Sequence, residues 1–176
     1  MMRIAASGVI VIVAAVLATG ATVRAQHSGP RHAGHDTAQM CEREFQTVVG
    51  EGLGFGMAFA ADKNGYPGPR HVLELKHRLR LTPAQEARTQ ALLDEMFAQS
   101  RPRSARLLEA ERRLGQLFAA SGADEAAVAR TVAEVERARA DVRLVHLLFH
   151  LRTRDVLTAA QREEYRRARW DAPDHR

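Results

Sequence analysis

His146-Leu147-Leu148-Phe149-His150 sets two imidazoles four residues apart. On a helix that spacing puts both rings on one side, where they can share one metal ion. Two nitrogens are only half of a tetrahedral zinc shell, so further ligands must come from elsewhere. His71 and His77 bracket Val-Leu-Glu-Leu-Lys, with Glu74 between them, and are the candidates to complete it. The ion would be zinc, copper, nickel or cobalt, and the fold requires none of them. The same spacing suits two half-buried histidines bonded to carbonyls or acids, and the sequence leaves both readings open. Met40, Cys41 and Met57 offer the thioether and thiolate that copper(I) prefers, although methionines on an apolar face are usually core. His27, His32 and His35 lie in the polar, glycine-bearing stretch 26–36, which reads as a flexible tail whose histidines would hold metal only loosely.

No arrangement of residues announces catalysis. A serine or cysteine nucleophile needs a positioned histidine and a third orienting group, and a metalloenzyme normally shows more ligands than these, so the chain is not expected to be an enzyme. Gly-Leu-Gly-Phe-Gly-Met at 52–57 has the look of a phosphate loop. No strand precedes it, however, and no lysine or acid follows where phosphate chemistry wants one, so no nucleotide is expected. The single cysteine, Cys41, excludes an internal disulfide. Its readings, in order, are a plain buried thiol, a pairing across a dimer, or a soft metal ligand.

The first 25 residues have the order of a secretory signal: Arg3, an apolar run from Gly8 to Thr19, and small residues at Val23-Arg24-Ala25. That run is short of the roughly 20 residues a spanning helix needs, so cleavage after Ala25 and a periplasmic location are expected, with an uncleaved anchor as the alternative. Loss of Arg3 and Arg24 lowers the net charge from +5 to about +3. The basic residues alternate with acids, as in Glu109-Ala110-Glu111-Arg112-Arg113, which makes them mutual partners on helix surfaces; nucleic acid is not implied.

The elements that must position these residues are helical throughout. A helix is expected from Thr37 to about Ala61, weakened by Gly50, Gly52, Gly54 and Gly56. Asn64-Gly65-Tyr66-Pro67-Gly68-Pro69 stops it, and a short helix begins near Arg70. Leu81-Thr82-Pro83-Ala84-Gln85 then carries a full start signal: Thr82 as N-cap, Pro83 at the first position, and Gln85 closing a capping box. The signal recurs as Leu157-Thr158-Ala159-Ala160-Gln161. Between them run two long helices. One spans Pro83 to about Ser121, with Pro102 expected to kink or break it. The other spans about Asp124 to Asp155, with Val128, Val135, Val142 and Phe149 seven apart and Val132 and Val145 in the same stripe. The fold class is therefore all-α: a long antiparallel helical hairpin with short flanking helices. The chain divides into a signal peptide 1–25, the tail 26–36, one helical domain 37–170 and a C-terminal tail 171–176. Arms this long and thin cannot bury both faces within one protomer, so a homodimer is expected.

Two Leu-Thr-x-x-Gln motifs, each opening a helix, in a small exported all-helical chain, resemble the Spy/CpxP family of periplasmic proteins, which also includes the zinc-responsive ZraP and the nickel and cobalt sensor CnrX. The resemblance covers roughly residues 64–170. It implies a cradle-like dimer serving as an ATP-independent chaperone, an envelope-stress regulator or a metal sensor, with unfolded envelope proteins or a membrane-bound sensor as partner. In the chaperone case Arg101, Arg103, Arg106, Arg112 and Arg113 would rim the client-binding face. In the sensor case His146 matches a ligand on that sensor's last long helix, and His150 stands where the sensor has methionine.

Overall fold

The computed structural model describes residues 33–121 and 123–171. The expected signal peptide, His27, His32 and the last residues of the C-terminal tail lie outside them. Helix α1 (Ala33–Gly50) begins four residues before Thr37, so the end of the stretch read as a tail, including His35, is its first turn. It ends well short of Ala61. Glycines at 50, 52, 54 and 56 favour the unfolded chain over a helix, and Gly52 turns left-handed at φ +85°. Only a short α2 (Phe59–Asp62) follows, then α3 (Pro69–Glu74).

Both capping boxes form. At α4 (Pro83–Ala119) the Thr82 hydroxyl accepts from Gln85 N at 3.2 Å, and Gln85 Oε1 accepts from Thr82 N at 3.0 Å. At α6 (Ala159–Arg166) Thr158 and Gln161 repeat this at 3.2 and 2.9 Å. Asp124 caps α5 (Glu125–Arg154), accepting from Ala127 N at 2.7 Å. A five-residue π-helical turn, Arg167–Asp171, ends the described chain.

Helices α4 and α5 form the antiparallel hairpin, about 55 and 45 Å long at about 1.5 Å per residue. Contrary to expectation, Pro102 does not break α4. It sits on the solvent side, where the carbonyl it leaves unbonded can be hydrated, and the Arg103 guanidinium donates to the adjacent Gln99 carbonyl at 2.7 Å.

Three apolar clusters run along the hairpin. Val72, Leu79, Leu157 and Tyr165 close its base; Leu92, Met96, Val145 and Phe149 fill the middle; Val49 of α1 meets Leu107, Ala110, Val135 and Val142 beyond them. Val135, Val142, Val145 and Phe149 of the stripe thus point inward, whereas Val128 is only half-buried and Val132 is exposed. No helix among the described residues is long and apolar enough to cross a membrane.

Candidate functional site

His146 and His150 do lie on one side of α5, and both are buried, at 4% and 7% exposure. What covers them is glycine. A Cβ added at Gly54 would lie 3.0 Å from the His146 ring, and one at Gly68 would lie 2.9 Å from His150 Nε2, so the two loops reach the rings only because these positions carry no side chain. Each ring is tied on one side to backbone. His150 Nδ1 is 2.6 Å from the Tyr66 carbonyl, and His146 bonds the Gly52 backbone, whose carbonyl also accepts from Ser100 Oγ at 2.8 Å. His146 Nε2 is buried with no partner. Burial, then the neighbouring charge of His150, pushes the His146 imidazole down to about 4, against the Gly52 bond; burial also lowers His150.

The pair is suited to a metal in two respects. Both rings are held neutral at pH 7, and each has one nitrogen fixed by backbone, which is the arrangement that orients a ligating imidazole. The unpartnered His146 Nε2 fits that role. A full shell is not assembled: no group of three or more His, Cys, Asp or Glu is placed to hold an ion among the described residues. His71, expected to join the pair, has both nitrogens engaged, Nδ1 with Glu74 at 3.0 Å and Nε2 with Arg169 at 3.0 Å. His77 is exposed beyond α3.

Beside the histidines lies a buried polar network that the sequence did not announce. Asp62 accepts from the Tyr165 hydroxyl at 2.5 Å and from Arg169 Nε at 2.8 Å, joining α2 to α6 and the π turn. Burial, and then the bond to Asp62, push the Tyr165 phenol up. Asp-Lys at 62–63 reads as ordinary helix surface, and nothing in its spacing points to a residue a hundred positions away.

The two Leu-Thr-x-x-Gln motifs prove to be one structure. Gln85 and Gln161 exchange amide hydrogen bonds at 2.8 and 3.0 Å. Each also donates to a backbone carbonyl from the opposite end of the hairpin base, Gln85 to Val156 at 2.9 Å and Gln161 to Leu79 at 3.2 Å. Each amide therefore caps its own helix with its oxygen and grips the other helix with its nitrogen. Leu157 is buried beneath them, with Leu81 packed against the same cluster.

A groove of about 910 Å³ opens between α1 and α4. Phe45, Phe55, Met57 and Leu108 form its apolar wall, with Phe45 and Phe55 edge to face at 5.4 Å, and Cys41 lies exposed at its rim. The arginines expected to rim one face are divided. Arg112, paired with Glu109 at 2.5 Å, lines this groove. Arg106 and Arg113 line a shallower gap between α4 and α5, where Arg113 reaches Glu134 at 3.1 Å. Arg101 stacks on Phe97, and Arg103 is committed to the Gln99 carbonyl.

A family model described as heavy-metal resistance matches residues 47–164. No curated protein and no solved structure matches the chain.

Proposed function

The chain belongs to the heavy-metal resistance family, and on that premise we propose that it works in the cell envelope after export, by holding partly unfolded proteins rather than by catalysis. This is the family to which the paired Leu-Thr-x-x-Gln motifs point. The observation that carries the reading is the groove between α1 and α4. It offers a wall of two phenylalanines, a methionine and a leucine to solvent, with ion-paired Arg112 and Arg139 at its edge. An apolar wall with a methionine accepts side chains of many shapes, and a charged rim keeps the surface soluble between encounters. No nucleotide is needed to load or release a segment held this loosely. The test is aggregation of a heat-sensitive client in the presence of a chelator. The wild-type chain suppresses light scattering, and Phe55→Asp, an exposed change, weakens suppression several-fold. Equal suppression by both, or none by either, overturns the reading.

A second reading is favoured by His146 Nε2, a buried nitrogen with no partner on a ring held neutral. His146 and His150 would supply two ligands to a zinc, copper, nickel or cobalt ion, which would bring a positive charge to the underside of the 52–56 loop. Gly54 lies against the ring, so the loop must move for the ion to enter. Calorimetric titration with zinc and with copper decides it: a site near one ion per chain, abolished in His146→Ala/His150→Ala, supports the metal role. Binding unchanged by the double substitution removes it.

A further inference from the structure

Helix α2 is docked by its charge. Of its four residues only Asp62 is buried, at 3% exposure, while Phe59 stays 55% exposed. A helix of one turn cannot hold itself in water, so α2 is kept in place by what its carboxylate reaches. Both partners come from the far end of the chain, the Tyr165 hydroxyl and Arg169 Nε. Tyr165 belongs to the apolar cluster at the hairpin base and is fixed there. Arg169 and Trp170 sit instead on the π turn, a rare geometry that recurs at functional sites, and close over α2 from outside. Trp170 meets the Phe59 ring edge to face at 6.2 Å and carries Lys63 over its own ring at 5.5 Å. Arg169 Nη2 donates to His71 Nε2 at 3.0 Å, which ties the turn to α3 as well.

What α2 holds down lies a few residues away on either side. Tyr66 N donates to the Ala61 carbonyl at 3.1 Å, the Tyr66 carbonyl bonds His150 Nδ1 at 2.6 Å, and Gly68 lies against the same ring. Toward the other end, Phe59 N donates to Gly56 O at 3.1 Å and Met57 N to Gly54 O at 2.7 Å, with Gly54 against the His146 ring. Residues 52–68 are thus one strap across both imidazoles, with Asp62 as its buried anchor.

We infer that the C-terminal turn is a latch on this strap: while Arg169 and Trp170 hold α2, the imidazoles stay sealed, and when they let go, residues 59–68 lift and admit solvent and solutes to His150. Electrostatics makes the release coupled. Without Arg169 the Asp62 carboxylate would be a buried charge facing a single hydroxyl, and lifting α2 is the way to rehydrate it. The latch is also light. Trp170 Nε1 is buried with no partner, so closure costs that donor its water and opening returns it. The latch governs access alone, so it stands whether the chain holds clients, metal or neither.

Two readouts on the full chain test it, with wild type beside Arg169→Gln and Trp170→Ala. Amide hydrogen exchange reads the strap, and diethyl pyrocarbonate, which acylates accessible neutral imidazoles, reads the rings. In Arg169→Gln the amides of 59–68 should exchange at least about tenfold faster, and in Trp170→Ala several-fold faster, while those of α4 and α5 keep their wild-type protection. Acylation of His150 should rise several-fold in both. Arg166→Gln removes an arginine from the preceding turn whose partners, Glu163 and Asp171, lie on the surface, and should match wild type in both readouts. Wild-type exchange over 59–68 in either latch variant overturns the proposal. So does faster exchange spread equally over α4 and α5, which would mean a general loss of stability. Faster exchange over 59–68 with His150 acylation unchanged overturns it too, because α2 would then move without uncovering the ring.

Discussion

The base and the tip of the hairpin are held together by different means. At the base, specific polar pairings hold the elements together: Gln85 with Gln161, Asp62 with both Tyr165 and Arg169, and His150 with the Tyr66 carbonyl. At the tip, α4 and α5 are joined by small and branched apolar residues inside and by half-exposed ion pairs outside, Arg113 with Glu134 and Arg139 with Glu111. A buried polar match tolerates no substitute, because a partner left alone loses both water and its bond, whereas a solvated ion pair is replaced by water at little cost. The base is therefore specified and the tip only filled.

Five measurements test that contrast. The largest effect should come from Phe149→Ala, which empties the packed layer between the two regions; a loss of about 3–5 kcal/mol is expected in urea unfolding. Acid should act next, and at the base. A folded pKa of about 4 for His146, against an ordinary 6.5, means that between those values the unfolded chain binds a proton that the folded chain refuses. Through this group alone, stability should be unaffected above about pH 6.5 and fall by up to about 3 kcal/mol as pH drops to about 4. His146→Gln should flatten that slope, and an unchanged slope would mean that the acid sensitivity lies elsewhere. Gly68→Ala sets a methyl against the His150 ring and should cost about 1–3 kcal/mol in thermal unfolding. Gln85→Ala and Gln161→Ala should each cost about 1–2 kcal/mol, and together less than their sum, since the first already orphans the second. Smallest of all, Arg113→Ala at the tip should stay within about 0.5 kcal/mol. A value there as large as at Gln85 would erase the distinction between the two regions.

The helix starts and the inner face of the hairpin were the more legible parts in the sequence, because their determinants are local or periodic. The cap at Asp124, both capping boxes and the inward-facing Val135, Val142 and Phe149 all follow from spacing within one helix. The break expected at Pro102 does not occur, because the carbonyl it leaves unbonded faces solvent, and exposure is a property of the fold. The base was legible only in part. His146 and His150 were found by their spacing, but Gly54 and Gly68 registered merely as helix breakers, although their task is to let backbone lie against an imidazole. His71 was grouped with the pair by residue type. Arg169, nearly a hundred positions away, occupies the nitrogen that such a role would need. Pairings across that distance leave no periodic trace.

The reciprocal glutamine bond also fixes an order of events. Its two halves are 76 residues apart, and each first closes its own local capping box. A chain that emerges N-terminus first has Gln85 ready, with α4 started, long before Gln161 exists to meet it. Until the final helix is out, Leu81 and the Gln85 amide wait without their partners, and the two arms can pair along their length but cannot lock. Closure of the hairpin base thus waits for the final helix, and a chain cut short before the second motif would be left as an open fork instead of a shortened hairpin.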